Sequence, residues 1–552
     1  MRRLVVASVA AAVIVAGVAC DDDSSSEGPE ASASASPGAS PTELTPPSSP
    51  SSSGTPQAFT DEDDVLRVAI PDPSTLDPMR IQDPGSTLIA RQLFEGLVRW
   101  DAAAGRVVPA AAGSWKVTKR GRVFTFKLRD GLTFHDGTPV TAADFAFALN
   151  RIADKKNASD LAYTLERVDG FTSYNQLGKG KKLKGLRIKD ESTLVIELTE
   201  PFYDFPAVLT HPGLVPIQMK SVRDIDEFLS NPVGNGPFQM AQPWVPGEEV
   251  VLEAYEEFPD SPDLDGVRFI PFVDAAESWV SFENGDLEVA EVPVGQIKAA
   301  AEDYGESGYQ PLLAGYYFGL NLEAKVLRNV RIRQAINFAI DRDAIAQGVY
   351  KGTMVLSRGI VPAGMPGFAS DACDELCRHS PQRARGIVSR LKKKERRLEL
   401  QYTKGQPHGR VAASVAADLE AAGFKVRVVP LGFAKYVRRL NAGDHEAFRL
   451  GWISEYPIPD TFLSSLFESD APDNHFGLES KKIDELLRKA HATKDEATRL
   501  RLYRRAEKLI LERVPLAPIG SFVTRWAAQQ GVDGIVFDVM GGFDAGPISL
   551  SE

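Results

Sequence analysis

One short segment of the chain combines a carboxylate with two aromatic rings. Trp452, Glu455 and Tyr456 lie within five residues of one another and follow an apolar segment, 447–451, that is predicted to form a β-strand. A carboxylate can pair with an ammonium group while aromatic rings cover an apolar side chain, so this group suits one end of a peptide. Ser454, between them, is included as a candidate ligand-binding residue. The alternative is that Trp452 belongs to the core and Glu455 to the surface.

His135 and Asp136 are adjacent and could suggest acid–base chemistry. They precede Gly137-Thr138-Pro139, and because an Asp-Gly pair is typical of a turn, a structural role is favoured. The chain has no GxSxG, HExxH, P-loop or strand–GxGxxG–helix motif. The chain has 75 acidic residues, so a catalytic pair of carboxylates like that of a glycosidase stays an open alternative. Catalysis is nevertheless not predicted.

The cysteines are few. Cys373 and Cys377 stand four apart and are predicted to form a small local disulfide in an oxidising compartment. Its effect on stability should be modest because the closed loop is short. A zinc site would need two further ligands, so no metal and no cofactor is predicted.

The amino-terminal residues predict export. Two arginines precede an apolar run over residues 4–19, which is short for a membrane span and suits a signal peptide. The run ends before Cys20, where a small residue followed by Cys resembles a bacterial lipoprotein signal, with Gly17 in place of the usual Leu, Val or Ile. We therefore predict a signal peptide over 1–19, a lipid on Cys20, and a location on the extracytoplasmic face of the cell membrane. An ordinary secretory signal is the alternative.

The next segment has the composition of a spacer. Residues 20–58 are rich in Ser and Pro and contain no aromatic residue, so a lipid-anchored disordered linker is predicted. The whole chain of 552 residues is long enough for two or three domains.

Charge argues against nucleic-acid binding. The chain carries 63 Lys and Arg against 75 Asp and Glu, a net charge of −12. The basic runs 179–184 and 392–397 are short and lack aromatic residues, so they are interpreted as solvated surface. A weak contact with anionic lipid headgroups stays open for these runs.

Strands and helices alternate along the body of the chain, which predicts an α/β fold. Residues 65–70 are the first predicted strand. Within 124–134, Asp130-Gly131 stands between two alternating halves and predicts a hairpin. A second hairpin is predicted from strands 184–189 and 193–198.

The helix signals are also clear. Thr141 is predicted to cap a helix together with Asp144, with Phe145, Leu149 and Ile152 on its buried face. The other predicted elements are a helix over 333–349, a strand–helix–strand unit at 398–402, 411–422 and 425–429, and helices over 481–490 and 497–512.

Four blocks of sequence resemble the family 5 extracellular solute-binding proteins, the oligopeptide and dipeptide receptors of ABC importers. The blocks are FTFKLRDGLTFHDGTPVTAAD at 124–144, NPVGNGPF at 231–238, VRIRQAINFAIDRD at 330–343 and FRLGWISEYPIPD at 448–460. One block alone would be weak, but four in the family's order, together with a lipoprotein signal, are specific.

The resemblance implies a three-domain α/β fold like that of periplasmic binding proteins (type II, cluster C-like). The ligand would be enclosed between two lobes that close about hinges near residues 310 and 514. The implied parts are lobe I (59–88, 200–310 and 514–552), domain II (the insert 89–199) and lobe III (311–513).

The resemblance also assigns a role to Glu455. Family members hold the α-ammonium of a peptide with an acidic residue at this place. This chain has Glu where the best-known members have Asp, which leaves the length and registry of the ligand open.

Two further segments are candidates for the pocket. Family members line it with the loop after the first strand, here 81–87, from which Gln82, Ser86 and Thr87 are taken as candidates. Residues 315–318 are predicted to open lobe III as a strand, in which alternation separates Tyr317 from its neighbours, and Tyr317 is expected to face the cleft.

These observations predict a lipid-anchored receptor that captures peptides and delivers them to the membrane subunits of an ABC permease. We expect a monomeric binding protein, not an enzyme, with no cofactor and no nucleic-acid partner. Three alternatives stay open: a receptor of the same fold for an oligosaccharide or metal chelate, a peptide-sensing signalling lipoprotein that feeds no importer, and, least favoured, an extracellular hydrolase.

Overall fold

The structure is a computed structural model that describes residues 63–405, 407–454 and 456–551. The predicted signal peptide, Cys20, the linker 20–58 and Glu455 lie outside the described residues. Within them, two six-stranded sheets and one four-stranded sheet are flanked by helices.

Twenty strands follow one another in the described chain. They are β1 (Val65–Ile70), β2 (Val98–Asp101), β3 (Arg106–Pro109), β4 (Ala112–Thr118), β5 (Val123–Leu128), β6 (Leu186–Asp190), β7 (Thr193–Glu197), β8 (Phe238–Met240), β9 (Val250–Ala254), β10 (Gly266–Pro271), β11 (Val289–Glu291), β12 (Ala314–Leu320), β13 (Met354–Leu356), β14 (Arg397–Thr403), β15 (Lys425–Leu431), β16 (Ala447–Ile453), β17 (Leu516–Phe522), β18 (Trp526–Ala528), β19 (Val532–Asp533) and β20 (Ser549–Leu550).

Fifteen α-helices occur in the same part of the chain. They are α1 (Pro84–Leu93), α2 (Ala142–Ala153), α3 (Phe205–Val208), α4 (Ile225–Ser230), α5 (Ala275–Glu283), α6 (Ile297–Tyr304), α7 (Val330–Ala339), α8 (Arg342–Gly348), α9 (Asp374–Cys377), α10 (Pro381–Val388), α11 (His408–Ala421), α12 (Phe433–Asn441), α13 (Asp460–Phe467), α14 (Lys481–His491) and α15 (Glu496–Glu512). Of these helices, none is long and apolar enough to cross a membrane.

The first large sheet belongs to lobe I and has the order β18-β11-β1-β10-β9-β8. Its centre is β1, which pairs in parallel with β10 and β11 and buries Leu66 and Val68. The first predicted strand is therefore confirmed. Because β18 comes from the end of the chain, this sheet is assembled from distant segments.

The second large sheet belongs to lobe III and has the order β13-β17-β12-β16-β14-β15. The strand β17 pairs with β12 in this sheet, so the predicted end of lobe III at residue 513 is wrong. The chain returns to lobe I only after β17, where Val523 bridges to Pro311 and the Thr524 N–H donates to the Gln310 carbonyl at 2.8 Å. The two segments that connect the lobes thus run side by side.

Domain II contains the sheet β4-β5-β7-β6. The predicted second hairpin is confirmed as β6 and β7. The predicted hairpin at Asp130-Gly131 is wrong, because β5 pairs with β4 and β7 and the segment after Gly131 forms only a single bridge, Thr133 to Pro139. That segment turns back at Asp136-Gly137, where Gly137 has a φ of 74°.

The helix predictions are largely confirmed. In α2 the Thr141 N–H donates to the Asp144 carboxylate at 2.9 Å, as a capping box does. The predicted single helix over 333–349 is wrong, because the chain breaks between α7 and α8. There the Asp341 side chain accepts the Ala344 N–H at 2.9 Å and starts a new helix. The unit β14-α11-β15 forms as predicted, with parallel strands.

The core is divided by the sheet of lobe III. Tyr316 and Phe318 pack on one face of β12, and Tyr317 packs on the other with Phe448 of the neighbouring strand. The predicted alternation in β12 is confirmed. In contrast, lobe I and domain II share one continuous hydrophobic cluster.

Candidate functional site

Trp452 lies inside a central strand of lobe III. The strand β16 extends to Ile453, two residues beyond its predicted end, and places Trp452 opposite Gly315 of β12. The indole packs partly buried against the cluster that contains Tyr317 and Phe462. Its buried Nε1–H has no hydrogen-bond acceptor among the described residues. A buried donor without an acceptor is uncommon in proteins, which makes this indole a candidate for contact with a ligand.

Tyr317 lies on the same face of the sheet. It is opposite Leu450, two pairs along from Trp452, and its side chain is 4% exposed. Its hydroxyl has no hydrogen-bond partner in the described part of the chain. Burial and the nearby Asp473 carboxylate raise the pKa of the Tyr317 hydroxyl well above its usual value. The structure therefore brings two of the predicted site residues together as neighbouring donors.

Ser454 shapes the turn that follows β16. Its N–H donates to the Leu313 carbonyl at 2.8 Å, and its hydroxyl donates to the Tyr456 carbonyl and lies 2.9 Å from the Thr461 hydroxyl. Ser454 is buried, so its side chain positions the turn.

The turn reaches the other lobe. Ile458 is buried within the cluster shared by lobe I and domain II, and Tyr456 packs against that cluster. The segment that follows β16 therefore bridges the two lobes, which is where an enclosed ligand would contact both.

Asp460, at the start of α13, anchors the far end of this turn. Its buried carboxylate is bonded to His491 of α14 and Ser464 of α13, and lies 3.4 Å from the Arg167 guanidinium of domain II. Burial alone would raise the pKa of Asp460, but the charges of His491 and Arg167 hold it well below its usual range. The carboxylate therefore stays ionised and links lobe III to domain II.

A second buried carboxylate links the lobes close by. Asp204 accepts the Arg499 Nε–H at 2.6 Å and the Tyr503 hydroxyl at 3.0 Å, both from α15. The neighbouring Tyr203 N–H donates to the His491 carbonyl at 3.0 Å. We call Arg167, Asp204, Asp460, His491 and Arg499 the junction cluster.

The predicted lobe I side of the site has a different structure from the one expected. Residues 81–87 were expected to form a loop, but α1 begins at Pro84, with Asp83 as its cap. The Ser86 N–H donates to the Asp83 carboxylate at 2.7 Å, and the Ser86 hydroxyl accepts the Thr75 N–H at 3.2 Å. Ser86 is 1% exposed and holds the backbone. Gln82 and Thr87 are partly exposed and stay available to a ligand.

Arg449 was not singled out from the sequence. It is half-buried in β16, with its guanidinium carbon 4.3 Å from the centre of the Tyr316 ring. Its Nε has no acceptor, and it forms no ion pair, among the described residues. The sequence signal for Arg449 is a positive charge inside an otherwise apolar strand.

The C-terminal segment was also missed. Arg91 of α1 binds Asp538 at 2.7 Å and Asp544 at 3.0 Å, and the Val539 carbonyl accepts the Leu313 N–H of lobe III at 3.1 Å. These partners are more than 200 residues apart, so no local pattern in the sequence indicates them.

The contacts of the remaining candidate residues indicate structural roles. His135 contacts the backbone of Gly234 and Gly236, and burial lowers the pKa of its ring to about 4. Cys373 and Cys377 are joined by a disulfide. No group of three or more metal-ligating side chains occurs in the described part of the chain.

Comparison with known proteins identifies relatives along most of the chain. A family model described as bacterial extracellular solute-binding proteins, family 5 Middle, matches residues 106–474. The oligopeptide-binding protein OppA of Bacillus subtilis (strain 168) is 26% identical over 486 residues, which cover 84% of this chain and 88% of that protein. The probable deoxycholate-binding periplasmic protein YgiS of Escherichia coli (strain K12) is 30% identical over 463 residues, covering 81% and 86%.

A solved structure shows the same fold. HbpA2 from Haemophilus parasuis superposes with a TM-score of 0.78 over 88% of this chain and 100% of that chain, at 23% identity. The predicted fold class is confirmed.

Proposed function

Because the chain belongs to the bacterial extracellular solute-binding proteins of family 5, we propose that it captures peptides outside the cytoplasm and delivers them to an ABC importer. The family consists of binding proteins, so the chain is a receptor and not an enzyme. A lipid on Cys20 holds the receptor at the membrane, and it acts as a monomer.

The pair of buried donors beside the turn after β16 carries the proposal. The Trp452 Nε1–H and the Tyr317 hydroxyl point to a ligand with acceptor atoms, because a buried donor without an acceptor is costly. Peptide carbonyl oxygens meet this requirement. The name of OppA, an oligopeptide-binding protein, supports the same ligand class.

A charged group would fix one end of the peptide. Glu455 binds the α-ammonium group, in keeping with the family resemblance of the block at 448–460. Arg449 stacks on Tyr316, on the opposite face of the sheet from Trp452 and Tyr317, so it is given no role in holding this ligand. Gln82 and Thr87 line the opposite side of the cleft.

A second candidate ligand is an amphipathic carboxylate of the bile-acid type. The probable deoxycholate-binding protein YgiS is 30% identical to this chain. The aromatic side chains of Trp452, Tyr456 and Tyr317 suit an apolar ring system. This ligand has no ammonium group, so it would make no use of Glu455.

A ligand-dependent melting shift tests both candidates. The chain from Thr60 onward is mixed with a pool of short peptides, the same pool N-acetylated, or deoxycholate below its micellar concentration. A ligand at about 100 times its Kd stabilises the folded protein by about 2.7 kcal/mol, which is readily measured.

The pattern of shifts discriminates between the candidates. A shift with amine-bearing peptides alone, abolished in Glu455→Gln, supports the proposal. A shift with both peptide pools keeps peptide binding but removes the role given to Glu455. A shift with deoxycholate alone would replace the peptide ligand by the second candidate.

A further inference from the structure

The lobes differ sharply in charge. The described segments of lobe I, 63–88, 200–310 and 524–551, contain 30 Asp and Glu against 7 Lys and Arg. Lobe III, residues 311–523, contains 24 Asp and Glu against 35 Lys and Arg, including Glu455. The net charge of −12 for the whole chain therefore hides an acidic lobe and a basic lobe.

One end of the sheet of lobe III carries a group of exposed cations. We call Lys392, Lys393, Lys394, Arg397 and Lys425 the basic edge. The first three lie in the short segment before β14, and β15 is the outermost strand of the sheet. All five residues are exposed.

The pairing of β14 with β15 brings these cations together. Arg397 stands directly opposite Lys425 in the parallel register. Like charges placed opposite each other across a sheet destabilise it, so this arrangement does not serve the fold. Cations on an outermost strand can prevent edge-to-edge aggregation, which accounts for Lys425 but not for the run of three lysines before β14.

The carboxylates of this region are already engaged. Glu395 accepts the backbone N–H of Lys392 at 2.8 Å. Glu399 is bonded to two arginines, Arg427 and Arg439. No ion pair involves any residue of the basic edge in the structure as described, which leaves its five positive charges for an external partner.

From this arrangement we propose that the basic edge binds the anionic surface of a phospholipid membrane. Clusters of Lys and Arg are attracted to anionic headgroups, and each cation near the surface strengthens binding about fivefold. The acidic lobe I is repelled by the same surface. The molecule would therefore lie with lobe III toward the membrane, whether or not a lipid is attached to Cys20.

Vesicle co-sedimentation tests the proposal. The protein is the chain without residues 1–19 and with Cys20→Ser, so that neither the leader nor a lipid contributes. The helices and strands of the described residues lie within 65–550 and are retained. The vesicles contain phosphatidylcholine alone, or phosphatidylcholine with about a third phosphatidylglycerol. The basic-edge variant is K392Q/K393Q/K394Q/R397Q.

Domain II supplies a matched control. Its basic run also offers four exposed lysines, and the control variant is K179Q/K181Q/K182Q/K184Q, which removes the same charge from the chain. Neither run is buried, so both variants should keep the melting temperature of the parent.

We expect the parent to bind only the anionic vesicles and to be released by raising NaCl from about 0.1 M to 0.5 M, since screening shortens the range of the attraction. The basic-edge variant should bind at least about tenfold more weakly, and the control less than twofold. Equal losses in the two variants, equal binding to both kinds of vesicle, or no binding of the parent to anionic vesicles would each overturn the proposal.

Discussion

The two sides of the candidate site are held by contacts of very different range. On the lobe III side, Asp460, Arg499 and Tyr503 bind partners outside that lobe that are 293 to 299 residues away in the sequence. On the lobe I side, Asp83 and Ser86 are held by residues no more than 11 positions away. These residues of the first side are thus stabilised by the assembly of domains, and those at the start of α1 by local capping bonds.

This difference indicates how each side can fail. Loss of a local cap disturbs one helix end and leaves the rest of the fold in place. Loss of a buried ionic partner leaves an uncompensated charge between domains, which is far more costly. Substitutions on the two sides should therefore differ in how much they destabilise the protein.

The largest effect is expected from Asp204→Ala. The substitution leaves the buried Arg499 without its carboxylate and should destabilise the protein by about 3–5 kcal/mol in urea unfolding. Lys119→Ala is the control, because its pair with Glu197 is 2.9 Å long but Lys119 is largely exposed. If both variants lose the same stability, the junction cluster does not hold the lobes as described.

The disulfide gives the next effect in size. Cys373 and Cys377 belong to the same hydrophobic cluster as Tyr317, so the bond supports the lobe III side only. Reduction should lower stability by up to about 2 kcal/mol, as expected for a short closed loop. The double variant Cys373→Ala/Cys377→Ala is the control and should not respond to reductant. If reductant also leaves the stability of the parent protein unchanged, the disulfide contributes nothing to stability.

A smaller effect is expected on the lobe I side. Asp83→Ala removes the cap of α1 and should cost about 1 kcal/mol, while weakening ligand binding because Gln82 and Thr87 lose their support. The matched control is Asp274→Ala, which removes the cap of α5 in the same lobe. Calorimetric titration with a peptide identified by the melting screen compares them. Equal affinities in the two variants would remove this segment from the site.

The same difference in range decides what the sequence could predict. The local patterns were sufficient for β1, α2 and the β14-α11-β15 unit, because capping, alternation and periodicity act over a few residues. Even the start of α1 has a readable signal, since Asp83-Pro84 combines a preferred cap with Pro at the first helical position. The prediction of a loop over 81–87 does not take this signal into account.

The rest depended on contacts between distant segments. The place of β17 in lobe III follows from its pairing with β12, about 200 residues earlier, and nothing within β17 itself reveals this. The junction cluster is similar, because Arg167, Asp204 and Arg499 come from three separate parts of the chain. The sequence pattern and the resemblance to a family made Trp452 and Tyr317 candidates, but they did not indicate the ionic contacts around the junction cluster.

A further difference between the two sides concerns pH. Glu468 follows α13 on the lobe III side, and burial raises its pKa to about 7, with the neighbouring Asp460 adding to the shift. The folded protein therefore keeps this proton between about pH 4.5 and 7, where the unfolded chain has released it. Stability from this group is present at low pH and is lost as the pH rises through about 7.

Glu468→Gln should remove this contribution. Chemical denaturation at pH values from 5 to 8 should show a flatter stability curve for the variant than for the parent, with the variant relatively more stable at pH 8. Glu227→Gln, on the exposed face of α4 in lobe I, is the control and should reproduce the parent's slope. Parallel curves for parent and Glu468→Gln would mean that Glu468 is as well solvated as a surface carboxylate. The lobe III side would then differ from the lobe I side only in the range of its ion pairs, and not in how strongly it excludes water.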